Sequence, residues 1–345
     1  MENQPCTLCG RHPATKLNSH IIPSFMIARV CSYDGSCKRD KEVMFTMSTY
    51  EDKVYTGQIP STKIEELFDT DKLTDERIEK ELKDNTATKD NIFCPKCEKD
   101  LSIYLEAPYA GYMHNDKIDS YIAYFFWMSV VWRMSISEQF NFRLPYDLEK
   151  HLQESLHAFI CAKITNEEKE IYELVKTCLF RYRLIISSEY LEDTDAAGFF
   201  GGRFDYVNNI LYLSLGDKIL FVTFNEDDLP IDYSFTGFEE ELRNSVVNNG
   251  LVEEVCTPMS KEKFEKGIQQ MIRETAFKRL QNEKELADAV WQKVGLPGMG
   301  MPDAIFKTFM ERLYSEDSKQ GDRRTNDRYV ELFNETLQSF GFILR

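Results

Sequence analysis

Asn91-Ile92-Phe93-Cys94-Pro95-Lys96-Cys97-Glu98 decides how this chain is read, because it closes a pattern opened at Cys6-Thr7-Leu8-Cys9-Gly10. Each stretch holds a C-x-x-C pair, and such a turn can set two sulfurs on one metal ion at ~2.3 Å. Two pairs fill a tetrahedral shell, so Cys6, Cys9, Cys94 and Cys97 are the expected ligands of one zinc ion. A filled shell marks a structural ion, since catalytic zinc keeps a position open for water. The 84 residues between the pairs exceed the ~15–20 of a compact zinc ribbon. The module is therefore expected to span residues 1–110 and to carry an insertion at about 26–85.

The other cysteines fit a reducing compartment. Nine in all is an odd number, and four stand in C-x-x-C pairs, which favours metal over disulfides. Cys31 and Cys37 have no matching pair and read as plain loop thiols, while Cys161, Cys178 and Cys256 lie in apolar stretches and read as small core residues. The polar start MENQPCTLCG has no apolar leader, so a cytoplasmic location is expected. Ile118–Val131 is the most apolar stretch, but charged residues bracket it too closely for the ~20 residues of a bilayer span. No membrane partner is expected. A formal charge of −16 opposes bulk coating of nucleic acid, so any such contact must come from a local basic strip, a bound metal or a partner subunit.

Away from the cysteines, periodicity sets the class. Short strands are expected at Glu42–Met47 and Lys53–Tyr55, and a charged helix at 61–84. Helical spacing follows from about Lys96 to Tyr109, then at 117–137, 146–162 and 166–179. The stretch 117–137 is apolar almost all round, which marks a buried helix. Arg181–Ser187, Tyr206–Leu215 and Lys218–Phe224 are β-rich, with turn signals at Gly201-Gly202 and Gly216-Asp217, and predict an antiparallel meander. Helical periodicity returns over Lys261–Val294, breaks at GLPGMGMP (295–302), and resumes at 303–316 and 325–340. The expected class is α+β and mainly helical. The N-terminal module is followed by a helical and β-meander domain, 111–345, with a regulatory or partner-binding role.

One further element stands between the cysteine pairs: Asn18-Ser19-His20-Ile21-Ile22-Pro23. The order C-x-x-C-G, S-H-I-I-P, N-I-F-C-P-K-C-E resembles the HNH, or His-Me finger, nucleases built on a treble-clef zinc fold. It is most similar to uncharacterised bacterial proteins that add a downstream W-R-x-S helix, here Trp132-Arg133-Met134-Ser135. The likeness covers about the first 135 residues. It implies a metal-dependent endonuclease, a hydrolase of phosphodiester bonds, that acts on nucleic acid, with DNA favoured over RNA. It also implies a protein partner that supplies activation or substrate binding, and by analogy a place in bacterial antiviral defence. His20 matches the general base, a task suited to an imidazole with an ordinary pKa of about 6.5. Asn91 matches the asparagine that orients the base or the metal. Glu98 takes the slot of the last metal-binding histidine, and its oxygens suit catalytic Mg²⁺ or Mn²⁺.

The chain departs from that pattern at Ser19, where the family carries aspartate, and at Glu98. Asp90 or Asp100 is available to supply the carboxylate. Arg133 is expected to pair with a buried carboxylate rather than with phosphate. The alternative function is a non-catalytic, zinc-stabilised protein-interaction module or scaffold, in which Ser19 and Glu98 mark the loss of the catalytic ion.

Overall fold

The structure is a computed structural model that describes residues 4–27, 40–47, 50–57, 88–112, 119–137, 143–190, 200–206, 208–224, 237–320 and 326–342. The expected helix at 61–84, the loop cysteines Cys31 and Cys37, and most of the insertion lie outside the described residues. The class is mixed α/β and mostly helical, with a small five-stranded sheet.

Near the N-terminus, strand β1 (Ser19–His20) and α1 (Ser24–Ile27) precede a hairpin of β2 (Asp40–Met47) and β3 (Tyr50–Gly57). Strand β4 (Thr88–Lys89) pairs antiparallel with β1, in the register Ser19↔Lys89 and His20↔Thr88. Helix α2 (Pro95–Leu101) starts at the second cysteine pair, with Pro95 in its first turn, where the missing N–H costs nothing. It continues through a π-helical turn (Ser102–Glu106) into α3 (Ala107–Tyr112).

Helix α4 (Ser120–Ser137) is buried along nearly its whole length, as its apolar sequence predicts; α5 (Tyr146–Thr165) packs beside it and α6 (Glu168–Thr177) packs on α5. Stacked Tyr109 and Phe126 rings, 3.8 Å apart, and Phe125 on Phe159 at 4.1 Å tie α3, α4 and α5 together. Cys178 is buried as expected, but Cys161 is exposed. It lies between the buried Ile160 and Ala162, and a helix turns each residue ~100° from the last, so its apolar neighbours did not report its own face.

The sheet differs from a simple meander. Its order is β6 (Phe200–Asp205), β7 (Ile210–Leu215), β8 (Lys218–Thr223), β5 (Arg181–Ile186), β9 (Cys256–Pro258). The pairings β6–β7, β7–β8 and β5–β8 are antiparallel, whereas β9 pairs parallel to β5 through Leu184↔Cys256, so the sheet is mixed. The expected turn at Gly201-Gly202 is instead part of β6, paired with Ser214 and Leu213. Gly216, with φ 65°, does make the β7–β8 turn. Helix α7 (Glu239–Asn244) precedes β9.

Helices α8 (Lys261–Lys293), α9 (Asp303–Gln320) and α10 (Asn326–Ser339) follow. The chain divides into two compact units: the second takes most of the β2–β3 hairpin (Glu42–Tyr55) and the chain from Gln269 within α8 onward, and the first holds the remaining described elements. In the first, the cysteine pairs, α2 to α6 and the sheet share one continuous core. In the second, Trp291, Phe309, Phe333 and their neighbours form a separate core. There the 295–302 break is a tied loop: Trp291 Nε1 donates to Pro297 O at 2.9 Å and Met301 N to Asp288 Oδ1 at 2.7 Å. Among the described residues, no helix is long and apolar enough to cross a membrane.

Candidate metal centre and adjoining polar site

The first cysteine pair is shaped by backbone bonds. Cys6 N donates to His12 O at 2.7 Å and Gly10 N to Cys6 O at 2.8 Å, with Gly10 at φ 64°, where a side chain would be strained. The second pair is held against it, since Thr7 donates to Ile92 O through both its amide, at 2.9 Å, and its hydroxyl, at 2.7 Å. Cys94 caps α2, and its sulfur accepts the Cys97 amide at 3.4 Å.

The result is that Sγ of Cys6, Cys9, Cys94 and Cys97 all lie within 4.8 Å of one another. Thiolates at ~2.3 Å from one zinc stand ~3.8 Å apart, so these four can hold a metal ion such as zinc. A hydrogen bond from Cys97 holds the Cys6 thiol down to about 4, and the same bond pushes Cys97 up. Metal binding would displace the proton that Cys97 keeps. His12 is exposed, with Nδ1 3.6 Å from Cys9 Sγ.

Beside this cluster lies a polar site that joins β1, α2, the π-helical turn and α4. Arg133, only 1% exposed, donates through Nη1 to His20 O at 2.9 Å and to Glu106 Oε1 at 2.6 Å, and through Nε to Ser129 O at 3.4 Å. Glu98 belongs to the same group. Burial pushes its carboxyl above the ordinary value, and the nearby Glu106 adds to the rise. The Arg133 guanidinium, the Ser19 hydroxyl (outside hydrogen-bonding geometry) and Lys16 pull it back. Three buried atoms here, Ser19 Oγ, Glu98 Oε2 and Arg133 Nη2, have no hydrogen-bond partner in the protein. Buried polar atoms are normally satisfied, so three orphans in one place mark a site suited to water, an ion or a ligand oxygen.

The expected site residues are thus only partly brought together. Ser19 and Glu98 lie by Arg133, which also holds the main-chain carbonyl of His20. Asn91 is exposed at a turn with φ 58°, and its amide donates to Lys16 O. Asparagine tolerates that left-handed conformation better than most residues, which accounts for its presence without a chemical role. Asp90 accepts from Asn18 N at 2.7 Å and Asp100 pairs with Lys96 at 2.8 Å, so their contacts lie outside the site. The carboxylate that pairs with Arg133 is Glu106, which is half-buried rather than fully buried as expected. It stands eight residues after Glu98, on the π-helical turn, a spacing that ordinary helical periodicity does not single out.

The W-R-M-S stretch is now explained residue by residue. Trp132 packs on Phe93 at 5.8 Å between centroids, Arg133 holds His20 and Glu106, and Ser135 Oγ donates to Glu149 Oε2 at 2.6 Å. No known protein family, curated protein or solved structure matches the chain.

Proposed function

We propose that this chain is a metal-dependent nuclease of the HNH type, with one structural zinc held by Cys6, Cys9, Cys94 and Cys97 in a treble-clef module. The observation that carries the reading is the polar site beside the cysteine cluster, where Ser19, Glu98 and the His20 main chain gather about Arg133 and buried polar atoms lack protein partners. His20 would accept the proton of the attacking water as the new P–O bond forms and the P–O bond to the leaving sugar oxygen breaks, that oxygen taking a proton from solvent. Glu98 Oε2 and Ser19 Oγ are hard oxygen donors of the kind Mg²⁺ and Mn²⁺ take, and they would hold the ion. That ion supplies charge stabilisation at the phosphate and the leaving oxygen. The substrate is nucleic acid, with DNA favoured over RNA. In an acidic chain, a protein partner would complete the substrate surface, as in an anti-phage effector.

The scaffold reading has one observation in its favour. The Arg133 guanidinium already places a fixed positive charge between the His20 carbonyl and Glu106, and such a charge opposes a second cation nearby. The two readings separate on a cleavage assay. Plasmid, single-stranded DNA and RNA are incubated with the zinc-loaded chain plus Mg²⁺ or Mn²⁺, beside His20→Ala with equal zinc content. Cleavage by the wild type alone supports the nuclease. Cleavage by neither, with no Mn²⁺ bound, leaves the scaffold.

A further inference from the structure

We propose that Arg133, fixed by Glu106, is the positioning residue of the His20 site. This deepens the nuclease reading and, for its activity arm, rests on it. Strand β1 is only two residues long and pairs with an equally short β4. A ladder this short cannot hold a side chain rigidly by itself. The main chain of His20 is instead tied to the rest of the fold by Arg133 Nη1, whose second bond goes to Glu106. The Nε bond to Ser129 O, one turn back on α4, fixes the guanidinium plane. One buried cation therefore connects the β1 strand, the π-helical turn and the central helix.

Energetics favour a role beyond stability. Burying a cation is costly to desolvate, even beside a half-buried carboxylate, and such a pair is often no better than apolar packing of the same volume. Here it sits inside an otherwise apolar helix, flanked by Trp132 and Met134, both buried. A hydrocarbon side chain there would fill space but would remove the tie to the His20 carbonyl and leave the negative charge at Glu106 and Glu98 unanswered. Neither Glu106 nor Arg133 touches the reacting atoms in this scheme; both act through the placement of His20.

The test uses the full zinc-loaded chain with its histidine rings carbon-13 labelled. With five histidines in the chain, His20→Ala identifies the His20 ring resonance. Glu106→Gln keeps the shape but removes the charge, and Arg133→Lys keeps the charge but loses the planar fork. We expect both variants to stay folded by circular dichroism and to keep their zinc. The His20 resonance should move while those of His151 and His157 stay. Where the wild type cleaves, kcat should fall by on the order of tenfold to a hundredfold with KM within about twofold, the signature of a misplaced reacting group. Arg133→Lys should recover more activity than Arg133→Met. If Arg133→Lys does not fold, Glu106→Gln decides alone. An unchanged His20 resonance in folded, zinc-loaded Glu106→Gln overturns the proposal. A wild type that cleaves nothing and binds no Mn²⁺ refutes the nuclease reading, but the resonance arm still decides the positioning.

Discussion

Glu254 offers a quantitative test of how the first unit is held together. Its carboxylate is buried and accepts three hydrogen bonds: from Trp127 Nε1 at 2.8 Å, Tyr182 Oη at 2.7 Å and Tyr109 Oη at 3.2 Å. These donors lie on α4, β5 and α3, so one side chain ties the segment before β9 to the helical core and the sheet. Glu254→Ala would orphan all three. At ~1–3 kcal/mol per buried unsatisfied donor, and with the two hydroxyls free to rotate and water able to enter, the loss should be about 3–5 kcal/mol. Against a typical domain stability of ~5–15 kcal/mol, that is a large fraction. Glu254→Gln should cost only about 1 kcal/mol. Its carbonyl can keep the Trp127 and Tyr182 bonds while its amide donates to the Tyr109 oxygen.

The same residue has a pH signature. Burial raises the Glu254 carboxyl above its ordinary 4.5, although the three hydrogen bonds pull it down. The folded state therefore binds the proton more tightly than the unfolded state. Stability from this group is full below 4.5 and falls as pH rises through the raised folded value. Urea unfolding of the zinc-loaded chain, followed by tryptophan fluorescence between pH 4.5 and 8, measures both effects. The wild type minus Glu254→Gln difference should decline with pH across that window. An alanine variant within 1 kcal/mol of wild type, or a glutamine variant as unstable as alanine, would refute the reasoning.

Three further predictions concern the metal and the backbone. Cys97→Ser should drop bound zinc from about one ion per chain to none by elemental analysis, and should make the N-terminal segment protease-sensitive, since structural zinc contributes folding energy directly. Retention of one zinc by that variant would remove Cys97 from the ligand set. Gly250 has φ +80° and an added Cβ would sit 2.7 Å from the Tyr124 ring, so Gly250→Ala should lower stability by about 2–4 kcal/mol. Gly111 lies in α3 with nothing within 4 Å of its added Cβ, so Gly111→Ala should raise stability by about 0.5–1 kcal/mol. Thermal melts of the pair check both signs.

Features set by near neighbours were legible in the sequence. The spacing within each C-x-x-C pair is a local matter, and the sulfurs do converge. Helical periodicity placed α4, α5 and α8 close to their observed bounds, because the apolar stripe of a helix is written at intervals of three and four residues. The turn at Gly216 followed from glycine's freedom at positive φ. Gly201-Gly202 misled for the converse reason, since glycine permits a turn without requiring one, and pairing with β7 took both residues into a strand.

What the sequence by itself determined, then, is the long helices, most of strands β5, β7 and β8, the clustering of the four cysteines and the candidacy of His20 and Glu98. Tertiary structure alone decided the partners. Glu106 meets Arg133 across 27 residues, Arg133 meets His20 across 113, and Tyr109 meets Glu254 across 145. Nothing in local pattern encodes such contacts, because they depend on how α3, α4 and the sheet pack rather than on the residues beside them. Parallel pairing of the three-residue β9 with β5 has the same origin: a strand that short acquires its neighbour only when the chain around it is already folded.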